Sequence, residues 1–148
     1  MTIRKNGTVI KILTTVSFLT MIIINILAVA LPINGVTPRE VADYYPNLFT
    51  PASVTFSIWG VIYILLAGFT LYQLGVLQID HTKSKMILLR RVGLYFTVSS
   101  FTNAAWIFSW HYKVIGLSMI LMIIILVCLV LIVSEIKKAT LSLLARIF

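Results

Sequence analysis

Four long apolar runs, separated by short polar or basic connections, constrain the fold of this chain more than any other feature. They extend over about residues 9–31, 52–77, 92–110 and 114–134. Each has about the length that a helix needs to cross the hydrocarbon core of a bilayer, which is about 30 Å thick. A continuous helix over 92–133 would be about 63 Å long, so the chain must turn back between His111 and Lys113. The sequence therefore predicts an all-α integral membrane protein with four transmembrane helices in one membrane domain, residues 1–148.

The composition agrees with a mostly lipid environment. Of the 148 residues, 60% are hydrophobic and 11% are charged, whereas a soluble domain has about 25% charged residues. The net charge of +8 does not indicate nucleic-acid binding, because the basic residues lie between apolar runs and not on one water-exposed face. With the amino terminus inside, only Arg39 and Lys113 are on the outer side. Ten basic residues are then on the inner side: Arg4, Lys5, Lys11, Lys83, Lys85, Arg90, Arg91, Lys137, Lys138 and Arg146.

This charge asymmetry predicts a multi-pass protein of the cell membrane with both termini cytoplasmic. Residues 32–51 then form an outer loop and residues 78–91 a basic cytoplasmic loop. Residues 135–148 are either an amphipathic tail on the inner surface or the start of a fifth helix. The first run also resembles a secretory signal, but its uncharged stretch from Ile12 to Leu31 is longer than a typical signal core. Cleavage after "AVALP" is the minor alternative.

No motif in the chain nominates a catalytic or metal site. The sequence has no nucleophile elbow, zinc-protease motif, phosphate-binding loop or carboxylate pair. Cys128 is the single cysteine, and we expect it to be a small buried or lipid-facing hydrophobe. We expect His111, between Trp110 and Tyr112, to belong to the aromatic belt at the outer interface. The chain is therefore not expected to be an enzyme on these grounds.

Polar and aromatic residues recur at helical spacing within the apolar runs. The stripe in the first run consists of Thr14, Ser17, Met21 and Asn25. The stripe in the third run consists of Phe96, Ser99, Asn103, Trp106 and Trp110. The second run carries Phe56, Trp59 and Tyr63, with Gly60 and Ala67 forming a small-residue groove beside them. We expect these stripes to face inward, because an amide exposed to lipid costs free energy unless it finds a partner.

Two interpretations of these stripes stay open. Asn25 and Asn103 would hold helices together by hydrogen bonds, each contributing about 0.6 kcal/mol. Alternatively, the stripes together line a ligand cleft near the outer leaflet. Trp59 lies about two turns inside the predicted second span, which is deeper than an interfacial anchor requires, and this favours the cleft.

The stretch "PASVTFSIWGVIY", together with "NAAW", resembles the TspO/MBR family of tryptophan-rich sensory proteins, which are related to the translocator protein. The spacing of Pro51, Trp59 and Tyr63 matches the family's second helix, and Asn103 with Trp106 matches its third. The resemblance covers the four predicted spans. The chain departs from the family pattern near Pro51, where Thr50 replaces a second proline.

The resemblance implies a receptor, sensor or carrier that binds a hydrophobic planar ligand. Haem or protoporphyrin is the implied ligand, with sterol-like or isoprenoid lipids as further candidates and no covalent cofactor. The implied ligand-binding residues are Trp59, Tyr63, Asn103, Trp106, Phe56 and Asn25. Light-dependent porphyrin breakdown and a homodimer are also within what the family implies. The alternative function is a helical subunit that packs against a larger membrane complex without a small-molecule ligand.

The family fold has five helices, and this chain shows no complete fifth apolar span. We therefore expect either a shortened family member or the amino-terminal part of a longer one. In both cases the partners expected from the resemblance are the lipid bilayer and a hydrophobic small molecule.

Overall fold

The computed structural model describes residues 2–31, 33–44, 58–76 and 82–144. Its α-helices are α1 (Thr2–Ala30), α2 (Pro38–Asp43), α3 (Ile58–Leu74), α4 (Lys83–His111) and α5 (Ile115–Leu144). A 3₁₀ turn, Ile33–Gly35, lies between α1 and α2. The described ranges contain helices and no strand, which confirms the predicted all-α fold class.

Three helices are longer than the apolar runs that predict them. α1 begins at Thr2, seven residues before the start of its predicted run. α4 begins at Lys83, so most of the predicted 78–91 loop is helical. Hydropathy marks where a helix enters lipid, and nothing in "KSKMILLRR" breaks a helix before that point. α5 continues through Ser134 to Leu144, so the described part of 135–148 extends α5. Residues 52–57 of the second run, including Phe56, lie outside the described residues.

α4 is the central helix. It packs against α1 on one side and against α5 on the other, while α3 packs on α1. Many of its buried residues are small, as is common where membrane helices approach closely. Two of these small residues form hydrogen bonds within α4: the Thr97 hydroxyl donates to the carbonyl of Gly93 at 2.8 Å, and the Ser99 hydroxyl donates to that of Phe96 at 2.9 Å. Phe69 of α3 reaches the buried Phe96 ring with centroids 5.0 Å apart.

α1, α3 and α4 approach one another closely at Gly93. A Cβ atom there would lie 2.5 Å from Nε2 of Gln73 and 2.8 Å from Cγ2 of Ile10. At Gly60, in contrast, a Cβ atom would meet nothing within 4 Å. Of the expected small-residue groove, Gly60 is therefore not a close packing contact among the described residues, whereas Gly93 is.

The face of α5 that contacts α4 follows a three-four spacing. Its least exposed positions include Ser118, Leu121, Ile125, Cys128 and Ile132. This spacing is typical of two helices that pack at a shallow angle. Cys128 is 6% exposed, which confirms that it is a buried small hydrophobe. The remaining faces of α5 are apolar and exposed. By length and hydropathy, Gly7–Ala30 and Ile115–Ser142 are the described segments that could cross a membrane unaided.

Charged and polar anchors lie at one common level of the bundle. The Lys11 ammonium donates to the carbonyl of Leu74 at 3.0 Å, joining α1 to α3. Arg91 of α4 pairs with Glu135 of α5 at 2.9 Å. From this level, about 20 residues of α1, α4 and α5, or about 30 Å, lead to the opposite end. That distance equals the thickness of a hydrocarbon core.

Candidate ligand-binding site

Asn25 connects three helices through its side-chain amide. Its Oδ1 accepts a hydrogen bond from the Tyr63 hydroxyl at 2.7 Å, and its Nδ2 donates to Oδ1 of Asn103 at 2.8 Å. The same Nδ2 donates to the backbone carbonyl of Met21 at 2.9 Å. Three of the six predicted site residues, from α1, α3 and α4, thus meet in one hydrogen-bonded chain, which we call the Tyr63–Asn25–Asn103 chain.

The direction of these hydrogen bonds follows from the Met21 carbonyl. A carbonyl oxygen can only accept, so the atom of Asn25 that faces it is the nitrogen. Both N–H groups of Asn25 are then used, and its Oδ1 accepts from Tyr63. Asn103 must accept through its Oδ1, which turns its own Nδ2 away from Asn25. That Nδ2 has no hydrogen-bond partner among the described residues, and the Asn103 side chain is only half-buried.

The inward stripes of α1 and α4 place the two asparagines. Thr14 and Ser17 are fully buried and Met21 is 4% exposed, so Asn25 continues a face that already packs on α4. Phe96 and Ser99 are buried on α4, and Asn103 lies one turn beyond Ser99. This burial confirms the prediction that the stripes of α1 and α4 face inward. The physical reason is that an amide on a packed face finds its hydrogen-bond partner on the facing helix.

Trp59 lies next to Tyr63 but nearer to the amino-terminal end of α3. Their ring centroids are 6.2 Å apart and the rings are tilted by 31°. Tyr63 is level with Asn25, which is about 9 Å below Leu31, and Trp59 is about 6 Å above Tyr63. The Trp59 side chain is 39% exposed. Tyr63, which is half-buried, therefore lies deeper in the bundle than Trp59, and the depth of Trp59 in a membrane stays a prediction.

Trp106 belongs to a second aromatic group on α4. Its ring stacks on that of Trp110, with centroids 5.9 Å apart and an angle of 25° between the planes. Trp110 in turn donates through Nε1 to the carbonyl of Pro38 in α2 at 3.3 Å. Trp106 lies one turn beyond Asn103 on α4, and both are half-buried. No described ring contact joins Trp106 to Trp59.

Two buried polar residues carry structural roles that the sequence analysis missed. His111 is fully buried, with its Nδ1 2.7 Å from the carbonyl of Ile107, and not exposed as an interfacial belt residue would be. Asn34 donates to the backbone carbonyl of His111 at 3.1 Å, which fastens the 3₁₀ turn onto the end of α4. Gln73 is 3% exposed and donates to the carbonyl of Leu89 at 3.0 Å. In the sequence, the Asn34–Gly35 pair predicts the turn at Ile33–Gly35, but it does not indicate that Asn34 contacts His111, 77 positions away.

The geometry around Asn103 suits recognition of a small molecule. The described residues contain no group of three or more His, Cys, Asp or Glu side chains that could hold a metal ion. Aromatic faces at Trp59 and Tyr63 and a free amide donor at Asn103 provide apolar contact and one polar anchor. Such a combination is typical of small-molecule sites, where a few polar groups fix the orientation of a mostly apolar ligand.

Comparison with known proteins adds one finding. A family model described as TSPO-like protein matches residues 11–147, nearly the whole chain. No curated protein and no solved structure matches the chain.

Proposed function

The chain belongs to the TSPO-like protein family, and from this premise we propose that it is a membrane sensor or carrier that binds a hydrophobic planar ligand. Haem or protoporphyrin is the ligand class that the proposed site suits best. The site consists of the Tyr63–Asn25–Asn103 chain with Trp59 and Trp106, and Phe56 is its further member outside the described residues.

The observation that carries this proposal is the free amide of Asn103. A polar network built only to hold helices together gains most when every donor is used, because an unpaired donor in lipid costs free energy. Here Asn25 is saturated and Asn103 keeps two N–H groups without a partner among the described residues. A carboxylate or carbonyl at the edge of a flat ligand would accept from them, while the aromatic rings contact its face.

The four long helices, α1, α3, α4 and α5, would each cross the bilayer in this proposal, with both termini in the cytoplasm. The α2 segment then lies on the outer side, where Trp110 holds it by the bond to Pro38. The ligand would enter near this outer end, since Trp59 is exposed there. A sterol-like or isoprenoid lipid would meet the same aromatic faces but would use the amide through a single hydroxyl.

Titration of the purified protein with haem and with protoporphyrin tests the proposal. We expect saturable quenching of tryptophan fluorescence, and binding at least about tenfold weaker for Asn103→Leu, because a hydrogen bond to a charged group contributes about 1.5–3 kcal/mol. Tyr63→Phe should weaken binding less, since its hydroxyl acts through Asn25 and Asn103.

Tyr72→Phe is the matched control, because it removes the same hydroxyl from the same helix near its other end. Non-saturable quenching, or equal affinity for the Asn103→Leu variant and the unchanged protein, would contradict the proposed site. Binding that is unaffected by either tyrosine variant but lost in Asn103→Leu would place the ligand on the amide alone.

A further inference from the structure

We propose a second binding site, for the phosphate headgroup of an anionic phospholipid, in the groove between α1 and α4 at the end of the bundle opposite to Trp110. The groove has a volume of about 280 Å³ and is lined by Ile10, Ile87, Arg90, Arg91 and Leu94. We call it the Arg90 groove. Asn103 lies about 20 Å further along α4, so the Arg90 groove is separate from the ligand site proposed above.

The two arginines of the groove differ in their partners. Arg91 is engaged by Glu135, with Nη1 to Oε2 at 2.9 Å. Arg90 is half-buried and has no carboxylate partner among the described residues. A guanidinium with planar, paired N–H donors suits a phosphate group, which accepts two parallel hydrogen bonds. An anion is therefore the expected occupant beside Arg90.

The apolar lining identifies the anion as part of a lipid. Ile87, Arg90, Arg91 and Leu94 lie on one face of α4, and Leu94 is 48% exposed. The same face continues through Val98 and Phe101, 41% and 42% exposed. A headgroup at Arg90 would thus have an apolar path of about three turns along α4 for an acyl chain. A free phosphate ion would use only the first part of this surface.

The position of the groove agrees with a headgroup at the membrane boundary. Arg90 lies at the level at which Lys11 contacts Leu74 and Arg91 contacts Glu135. Basic pockets between transmembrane helices on the cytoplasmic side are typical binding sites for anionic lipid headgroups. Lys137 and Lys138 follow Glu135 on α5 and add positive charge to the same end.

Binding of three soluble probes to the purified full chain in detergent tests this inference. The probes are dioctanoyl phosphatidylglycerol, dioctanoyl phosphatidylcholine and inorganic phosphate, with binding read by thermal shift and native mass spectrometry. We expect phosphatidylglycerol to bind roughly fivefold or more tightly than phosphatidylcholine, because each Lys or Arg near an anionic surface contributes about a fivefold effect. Inorganic phosphate should produce no comparable shift.

Arg90→Gln and Lys137→Gln distinguish a specific site at Arg90 from general attraction by the positive charge of this end of the bundle. Arg90→Gln should reduce phosphatidylglycerol binding at least about fivefold. Lys137→Gln removes the same charge from an exposed position on α5 and should change binding less than about twofold, because solvent and salt screen it. Leu94→Ser tests the acyl path: it should weaken the binding of phosphatidylglycerol and leave the thermal shift with inorganic phosphate unchanged.

Three results would each overturn the inference. Equal binding of the two phospholipids would show that charge is not recognised. Equal losses in Arg90→Gln and Lys137→Gln would show attraction by surface charge alone. A response to inorganic phosphate as large as that to phosphatidylglycerol would show a free-anion site without an acyl path.

Discussion

Gly93 is the residue at which the packing of the bundle is least tolerant of change. The neighbouring Gln73 amide cannot turn aside easily, because it is 3% exposed and donates to the carbonyl of Leu89. Ile10 approaches the same point from α1. A single missing Cβ atom on α4 therefore allows three helices to converge.

We expect Gly93→Ala to lower the free energy of unfolding by about 1–3 kcal/mol, the usual effect of overpacking a closely packed site. Gly68→Ala is the control, because a Cβ atom at Gly68 meets nothing within 4 Å and alanine favours a helix by up to about 1 kcal/mol. Unfolding in a denaturing detergent measures both variants.

Gly93 and Gln73 should be energetically coupled, because a Cβ atom at Gly93 would lie 2.5 Å from Nε2 of Gln73. Gly93→Ala should destabilise the protein less in a Gln73→Ala background, since the nearest obstructing atom, Nε2, is then absent. Strictly additive effects of the two substitutions would contradict this explanation, because residues in contact are expected to be coupled.

At the scale of the element, α2 depends on its amino-terminal cap. Thr37 precedes α2 and accepts from the backbone N–H of Glu40 at 3.3 Å, while the Glu40 carboxylate accepts from the Thr37 backbone N–H at 2.6 Å. It also accepts from the Thr37 hydroxyl at 2.9 Å. Pro38 at the start of α2 has a φ suited to the first turn and no N–H to satisfy. The sequence "TPRE" therefore specifies this short helix.

The hydrogen bonds from the Thr37 backbone N–H and hydroxyl hold the pKa of Glu40 below its ordinary value of 4.5. The carboxylate therefore stabilises α2 fully above pH 4.5, and its contribution is lost as the pH falls through the lowered pKa. We expect protection of the α2 amides from hydrogen exchange, corrected for intrinsic rates, to decrease below pH 4.5.

Glu40→Gln provides the control for this pH dependence. Its α2 amides should be less protected at neutral pH and should show no further decrease in the acid range. If Glu40→Gln and the unchanged protein lose protection in parallel below pH 4.5, another group is responsible and the role assigned to Glu40 is wrong.

At the scale of the whole molecule, α4 organises the bundle as a helix with two different ends. At one end, basic residues and the Arg91–Glu135 pair join α4 to α5. At the other end, Trp110 and the carbonyl of His111 hold the segments that precede and form α2. The proposed lipid site and the proposed ligand site thus lie towards opposite ends of α4. The lipid site uses the arginine side chain of the basic end, and the ligand site uses the amide and aromatic side chains nearer to the other end.

The proposed orientation predicts which positions are accessible from outside the cell. In a Cys128→Ala background, Asp43→Cys should react with a membrane-impermeant maleimide in intact cells. Lys137→Cys should react only after permeabilisation. Asp43 is exposed next to the end of α2 and Lys137 is exposed on α5, so access by the reagent is limited only by the membrane. Labelling of Lys137→Cys in intact cells would reverse the assigned topology.

The sequence by itself determined the helical class, the approximate positions of the four long helices and the inward faces of α1 and α4. These properties are local, because the transfer of each side chain into lipid and the 3.6-residue period depend on neighbouring residues only. The predicted helix bounds were less accurate where a helix continues beyond its apolar run, as α4 does back to Lys83. Hydropathy indicates which residues prefer lipid, and it does not indicate where the helical backbone ends.

Only the tertiary structure decided which residues of the candidate site meet. Asn25 and Asn103 are separated by 78 positions, and their contact depends on the rotation and height at which α1 packs on α4. The close approach at Gly93, the burial of His111 and the hydrogen bond from Asn34 to the His111 carbonyl depend on the same long-range packing. Periodicity specifies the face of one helix, whereas a binding site requires the register between several helices, and that register is set by how their side chains fill the space between them.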